Sequence, residues 1–388
     1  MLKQKEMVTV LFEDNQWKAF LPLVFTRPVG EIRIGIYTIA EKWSKSLNCE
    51  VSHRTREHLR ELFPGSKEKD VLLINARVLP TPDLIESISA LSQGQALLGN
   101  GQLIAMRASS DEEEEYQIAS EFNGEIFMLE KVTDIFSKNG KAIELDLPLW
   151  QAENTSQPIH ESNTIIGDPN RVFLAEGAKV YASILNTLDG PIILCKDAEI
   201  MEGSMVRGGL VLGEHSALKM GAKIYGPSTF GPHCKVGGEV SNSVIFGYSN
   251  KGHDGFIGNT VMGEWCNLGA DTNTSNLKNN YSLVKIWNYE LNNYGDTGLT
   301  FCGLIMGDHS KSGINTMFNT GTVVGVCANI FGAAFPEKHI PNFSWGGADG
   351  FEPYQLDKAC ETAQRMMARR NIEFTDAHRR LFSALQTN

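Results

Sequence analysis

The stretch LCKDAEIMEGSMVRGGLVLGEHSALKMGAKIYGPSTFGPHCKV (residues 194–236) carries a large aliphatic or aromatic residue at every sixth position: Leu194, Ile200, Val206, Leu212, Leu218, Ile224, Phe230 and Val236. Four residues after each stand Ala198, Ser204, Leu210, Ser216, Ala222, Ser228, Cys234 and Val240, small in nearly every case. A period of six fits neither the helix of 3.6 residues per turn nor two-residue strand alternation. It fits a chain winding round a prism, with one short strand per face and one large residue pointing inward per repeat. The expected fold here is a left-handed parallel β-helix of the hexapeptide kind.

The frame returns at Phe256, Met262 and Leu268, with Thr260, Cys266 and Thr272 at the small position. It returns again at Met306, Ser312, Phe318, Val324 and Ile330, followed by Ser310, Thr316, Thr322, Ala328 and Ala334. Ser312 breaks the apolar rule. Residues 273–300 drop the period and read as a loop thrown out of the coil, the kind of long loop that often carries function.

Around this core, 388 residues leave room for a second domain and a tail. Residues 1–160 read as mixed α/β. Residues 7–12 and 71–75 are short buried-strand runs, 57–63 looks helical, and 97–106 forms a hairpin turned by Asn100-Gly101. The five acids at 111–115 read as a solvated helix start or loop, and 154–163 as a linker. Residues 161–345 form the β-helix, with the pattern clear from about Arg171 to Phe335. Residues 346–388 form a helical tail with Leu356, Cys360, Ala363 and Met367 on one face and Arg369, Arg370, Arg379 and Arg380 largely elsewhere. This tail is expected to pack on the side or end of the prism and shield a strand edge.

An apolar fraction of 42% is ordinary for a globular protein, and a net charge of −11 argues against nucleic-acid and anionic-membrane partners. The seven cysteines (Cys49, Cys195, Cys234, Cys266, Cys302, Cys327, Cys360) are scattered without a CxxC pair, which reads as reduced thiols in a cytoplasmic protein. No basic start with an apolar core and no apolar run near ~20 residues is present, so neither a signal peptide nor a membrane span is expected.

The densest polar cluster lies where the repeat first falters. It comprises Asn250-Lys251-Gly252-His253-Asp254-Gly255-Phe256, then Cys266-Asn267-Leu268-Gly269-Ala270, then Asn276. An imidazole, with an ordinary pKa near ~6.5, is available in neutral form at cytoplasmic pH and suits general-base work. Taken singly, His253 is an ordinary loop histidine and Asn267 a turn cap; the cluster is informative as a set.

The segment KGHDGFIGNTVMGEWCNLGADTNTSNLKNNYSLVK (251–285) resembles the acetyltransferase half of the GlmU family, which joins N-acetylglucosamine-1-phosphate uridyltransferase and glucosamine-1-phosphate acetyltransferase. The likeness is closer to archaeal sugar-phosphate transferases and to an alternative bacterial branch, whose opening resembles LPLVFTRPVGEIRIG (21–35). In that branch it spans nearly the whole chain. The resemblance implies that His253 deprotonates the amino group of a sugar phosphate, which then attacks the thioester of acetyl-CoA. It implies Lys251, Phe256, Asn267, Asn276 and Lys285 at the substrate, with Phe256 replacing the family's tyrosine. Ala270, Gly313 and Ala333 match small residues along the pantetheine arm. Two departures bear on the substrate: Gly226 stands for the arginine before Pro227, and Ser241 for the lysine after Glu239-Val240. Either Lys251 and Lys285 supply the missing charge, or the substrate differs from the usual one. The resemblance also implies a homotrimer.

For residues 1–160 the resemblance implies a nucleotidyltransferase-like domain using UTP or dTTP and Mg²⁺. Such domains open with a glycine-rich loop whose N–H groups cradle phosphates. Here Glu13-Asp14-Asn15 follow the first strand, without glycine. Arg77 stands near the expected metal ligand, and a guanidinium cannot coordinate Mg²⁺. Arg27, Arg33 and Gly35 are candidates for phosphate binding; the arginines equally suit pairing with acids of a helix start. Two further readings stay open. His215 and His233, 18 residues apart, would stack on one face and could gather Zn²⁺ as carbonic-anhydrase-like hexapeptide proteins do, although two edge histidines are the plainer account. The chain could also be a non-catalytic nucleotide-sugar sensor or scaffold.

Overall fold

The computed structural model describes residues 8–113 and 115–386. Met7 of the first expected strand, Glu114 of the acidic run and the amino terminus read for a leader lie outside them. Contacts divide the chain into two compact units. One comprises Met1–Phe20, Arg27–Ile32 and Tyr37–Glu130, the other Leu21–Thr26, Arg33–Ile36 and Lys131–Asn388. The division falls at Glu130/Lys131 rather than at 160, because helix Asn139–Glu153 packs on the prism. Its Asn139, Ala142, Ile143, Asp146 and Trp150 are buried, Gly140 lies against Pro227, and Trp150 meets Phe173 edge-on at 5.9 Å.

The first unit is a six-stranded mixed sheet in the order Val51–Arg54, Val8–Phe12, Val71–Asn75, Gln102–Ala108, Gln95–Gly99, Ile118–Glu121. The first three strands are parallel, and the hairpin turns at Asn100 and Gly101, both at positive φ, as the sequence predicts. Helix Ile39–Leu47 starts on a capping box in which Thr38 and Glu41 satisfy each other's backbone N–H. The helix expected over 57–63 shrinks to a single 3₁₀ turn, Glu57–Leu59, since Pro64 closes the segment.

The second unit is built on a left-handed parallel β-helix. Its first face runs from Thr164–Ile166 to Phe256–Gly258, its second from Val172–Leu174 to His339–Ile340, and its third from Lys179–Val180 to Ser344–Gly347. The coil thus begins before Arg171 and continues past Phe335. The eight inward residues from Leu194 to Val236 are at most 2% exposed and stack in register, as in Leu194↔Leu212↔Phe230. Their small followers turn the corners: Ser216 Oγ donates to the Gly231 carbonyl at 2.6 Å, and Ser204 Oγ to Met201 at 2.8 Å.

The period then slips. Ile224 pairs with Val240, and the inward series continues through Ile245, Lys251, Ile257, Met262, Leu268 and Thr274. Ile257, fully buried, takes the place expected for Phe256, which is one residue out of frame. Ser312 fits inside because its hydroxyl meets Thr272 Oγ1 at 2.9 Å. Asn273–Thr274 is still a rung, paired with Met317–Phe318, so the excursion starts later than residue 273. It carries a hairpin of Lys285–Asn288 and Asn293–Asp296.

At the corner between second and third faces, successive coils place His215, His233, Tyr248, Trp265, His309, Cys327 and Phe343 in the left-handed region, with φ between 52° and 61°. Each donates its N–H to the coil before, as His233 does to Glu214 and Tyr248 to Pro232. The tail supplies strand Gly350–Pro353, antiparallel to Ser344–Gly347, then helices Leu356–Ala368 and Asp376–Gln386. Cys360, Ala363 and Met367 are buried as their spacing predicts, and the edge is covered by the strand rather than by a helix. Among the described residues no helix is long and apolar enough to cross a membrane.

Candidate functional site

The third face carries an outward column one residue before each inward one: Lys235, Asn250, Asn267 and Lys311 pair in succession. Below it, at the corner leading to the first face, come Gly252-His253, Gly269-Ala270 and Gly313-Ile314. Between this surface and the end of helix Leu356–Ala368 lies an open cleft of about 700 Å³. His253, Asn267 and Ala270 all line it, and His253 is exposed. The corner must be small: a Cβ on Gly269 would stand 2.4 Å from the Gly313 backbone.

Five cations share the cleft: Lys219, Lys235 and Lys311 from the prism, Arg369 and Arg370 from the tail. No carboxylate lines it. Lys311 donates to the His309 carbonyl at 2.6 Å, and burial holds its pKa below the usual lysine range. Tyr248 and Trp265 form the wall. They belong to a stack of rings along the corner: His215–His233 at 4.8 Å, His233–Tyr248 at 5.3 Å, Tyr248–Trp265 at 4.2 Å and Trp265–His309 at 6.1 Å, all within 23° of parallel. Burial, then Arg370 and His215, hold the His233 imidazole below its ordinary pKa.

Lys251 does not face the cleft. At an inward rung and 1% exposed, it turns its ammonium to the carbonyls of Gly237, His253 and Asp254 at 3.2, 2.5 and 2.9 Å. The expectation that it binds substrate gives way to a brace beneath the His253 loop. Burial draws its pKa down to about 8, against the pull of Asp254 and Asp271.

The other candidates lie elsewhere. Phe256 and Asn276 flank Gly258, and the Asn276 amide donates to Asn259 Oδ1 at 2.8 Å. Lys285 sits exposed on the hairpin with Asp296 at 3.8 Å. Gly313 lies one coil beyond Gly269 outside the lining, and Ala333 is exposed on a loop. Gly226 has no room for the arginine that the resemblance implies there, since a Cβ would stand 2.2 Å from the Gly208 carbonyl oxygen. Gly35, at φ +69°, does permit a close backbone approach, but to helix Asn139–Glu153: Asn139 Oδ1 accepts its N–H, and its carbonyl accepts from Thr229. Arg33 donates to the Ile36 carbonyl at 2.7 Å. Arg27, in the other unit, is buried and receives the Arg56 guanidinium on its carbonyl.

Arg369 and Arg370 are visible in the sequence of the tail, whereas no local motif marks the lysines of the cleft. Lys235 and Lys311 stand one residue before an inward one, a signal visible only once coils of 15, 17 and 44 residues are aligned from Lys235 through Asn250 and Asn267 to Lys311, and Lys219 instead follows the inward Leu218. The pairing of His215 with His233 holds as a ring stack, which His309 extends past Tyr248 and Trp265. Among the described residues no three of His, Cys, Asp or Glu gather as metal ligands.

In the first unit, the end of the first strand is closed by ion pairs. Arg77, 1% exposed, grips Asp14 through Nε and Nη2 and reaches Glu130 and Gln102, each at 2.8 Å. Burial tends to raise the Asp14 pKa, and the bonds from Arg77 and Asn75 override it, so the carboxyl lies below its ordinary value. Glu13 accepts the Val29 N–H at 2.9 Å and pairs with Arg56. The residues present do not fit Mg²⁺, because the nearby carboxylate is already taken by a guanidinium.

The chain thus joins a mixed-sheet unit to a β-helix with a polar cleft, and both parts have counterparts among known transferases. Residues 9–155 match the family described as sugar nucleotidyl transferase. The chain is similar to the bifunctional protein GlmU of Methanocaldococcus jannaschii, 33% identical over 87 residues, covering 22% of this chain and 21% of that protein. It is 28% identical over 158 residues to the bifunctional sugar-1-phosphate nucleotidylyltransferase/acetyltransferase of Sulfurisphaera tokodaii, covering 39% and 38%, and 23% identical over 159 residues to GlmU of Synechococcus elongatus, covering 39% and 31%. The matches thus span between 21% and 38% of the length of these relatives. Among solved structures, Arabidopsis UDP-N-acetylglucosamine acyltransferase aligns over 56% of this chain and 78% of its own, at 16% identity and a TM-score of 0.25.

Proposed function

We propose that the second unit transfers an acetyl group from acetyl-CoA to the amine of an amino-sugar phosphate, beside a sugar-1-phosphate nucleotidyltransferase-like unit serving nucleotide-sugar synthesis in the cytoplasm. The carrying observation is that His253, Asn267 and Ala270 line one open cleft with five cations and no carboxylate. A phosphorylated acceptor is drawn to such a surface, and the His253 imidazole lies within the same space. In this reading His253 accepts a proton from the acceptor's ammonium, and the freed amine attacks the thioester carbonyl. The tetrahedral adduct collapses with departure of the coenzyme thiolate, which takes up the second proton released by the nitrogen, and His253 returns the first proton to solvent. Asn267 orients the acceptor, and Lys251 acts through the backbone by fixing the carbonyls on either side of the imidazole. The acetyl donor runs over Gly269 and Ala270, where larger side chains would fill the corner.

Coenzyme thiol release with a panel of amino-sugar phosphates tests the reading. His253→Ala should lower turnover by roughly 10²–10⁴-fold while leaving the thermal unfolding midpoint unchanged. Wild-type turnover in that variant removes His253 as the base.

For the first unit a second reading is favoured, nucleotide-sugar binding without transfer, because Arg77 and Asp14 neutralise each other where a metal would stand. Pyrophosphate release from UTP or dTTP with a sugar 1-phosphate and Mg²⁺ would refute it. A homotrimer is proposed on the likeness to hexapeptide proteins and on the exposed Ile184, Met205 and Tyr225 of the first face. Light scattering on the purified chain measures it.

A further inference from the structure

We infer that Asn250 determines acceptor specificity in the cleft, its carboxamide oxygen accepting a hydrogen bond from a hydroxyl of the amino sugar. The inference rests on the acetyl-transfer reading above for the identity of the acceptor and adds the residue that reads its hydroxyls.

An unmet hydrogen bond is the first argument. Among the described residues that line the cleft, Asn250 alone keeps a buried side-chain polar atom, Oδ1, without a partner. A carbonyl oxygen shut away from water and left without a donor costs stability, and such atoms are few in native folds. The backbone is not at fault. The Asn250 N–H donates to the Cys266 carbonyl at 2.9 Å, and the register with Lys235 and Asn267 holds the residue outward on the third face. The last torsion of an asparagine side chain is soft, so a turn of the carboxamide presents its oxygen to the cleft.

Its neighbours are the second. Lys235 and Asn267 stand on the adjoining rungs, each about 4.8 Å away in strand spacing. Asparagines on successive rungs can chain amide to amide. Here neither Asn267 nor Lys235 donates to Asn250 Oδ1, although both carry N–H groups on the same column.

The chemistry of the lining is the third. Lys219, Lys235, Lys311, Arg369 and Arg370 only donate, and they suit phosphate oxygens rather than hydroxyl protons. Among the described residues the side-chain oxygens of the cleft come from Tyr248, Asn250 and Asn267 alone. In the reading above the His253 nitrogen is reserved for the ammonium proton. Phosphate thus falls to the cations and a hydroxyl to Asn250. A site built in this way rejects an analogue that lacks the hydroxyl, because the buried oxygen then stays unpaired.

Calorimetric titration of the full chain tests the assignment, with glucosamine 1-phosphate and its 3-deoxy, 4-deoxy and 6-deoxy analogues as probes. The wild type should bind one analogue roughly ten- to a hundredfold more weakly than the parent. Asn250→Leu should weaken the parent by a similar factor and that analogue by less than about threefold, which names the hydroxyl. Asn250→Asp keeps an acceptor oxygen at the same place and should keep the discrimination that Asn250→Leu loses. In the thiol-release assay the loss should appear in KM, with kcat within about threefold of the wild type. Equal losses for all four probes in Asn250→Leu mark a merely structural residue and overturn the inference. Unchanged binding of the parent in that variant overturns it too, as does failure of the parent to bind the wild type. Discrimination among the analogues without any acetyl transfer keeps Asn250 as the reader and removes the transferase. Acetyl transfer indifferent to Asn250→Leu keeps the transferase and removes this role for Asn250.

Discussion

Lys251 shows how one residue takes a different role once the coil is closed. In the sequence it stands two residues before His253, which suggests a second polar group at the substrate. The coil shortens after Val236, and the slip turns Lys251 inward beside Val236. Its ammonium then has carbonyls as partners instead of phosphate. Replacing it with methionine should remove those bonds, at roughly 1–3 kcal/mol for each buried carbonyl left unpaired. Turnover should fall with it, because the His253 loop loses its anchor. The pH dependence has a definite sign. The native pKa of about 8 lies below the ordinary 10.5, so between these values the unfolded chain binds the extra proton. Stability should therefore rise as pH climbs from 8 to 10.5, and urea titrations of Lys251→Met should lose that rise.

At the scale of elements, the hexad was legible where large residues kept a period of six, and illegible where coils changed length. The inward step from Val236 to Val240 and the place of Ile257 depend on which carbonyl the previous coil offers, which no single-sequence spacing reveals. The ring column was half legible. Two histidines one coil apart suggest stacking, but Tyr248, Trp265 and His309 join only through uneven coils. Trp287 of the excursion hairpin forms a second stacked pair with His339 at 3.9 Å, with the His339 Nε2 buried and unpartnered. Burial holds the His339 pKa down at about 4. The unfolded chain takes up a proton near 6.5 that the folded one refuses, so stability should fall as pH drops from 6.5 towards 4. Urea midpoints at pH 7 and pH 5 measure the fall, and His339→Phe should flatten it.

For the whole molecule, scattered cysteines were read as reduced thiols, and all seven are free. Five are buried, and burial pushes Cys234, Cys266 and Cys302 up to about 12. Alkylation of the native protein at pH 8 should mark Cys49 and Cys195 alone, with the other five reacting only after unfolding. Mass spectrometry of the digested adducts counts them. The division of the chain was less legible. A boundary drawn at 160 follows the onset of the repeat, whereas helix Asn139–Glu153 joins the prism through contacts such as Gly140 on Pro227 that leave no mark on local periodicity.

The reversed strand Gly350–Pro353 has a consequence for how the prism ends. A forward-running rung would offer its amides and carbonyls to the first rung of another copy, and prisms could then grow into rods. A rung laid in the opposite direction is a poor template for that growth and acts as a stop. Chains shortened before Gly350 should accordingly form fibres visible by negative-stain microscopy, whereas the full chain stays dispersed.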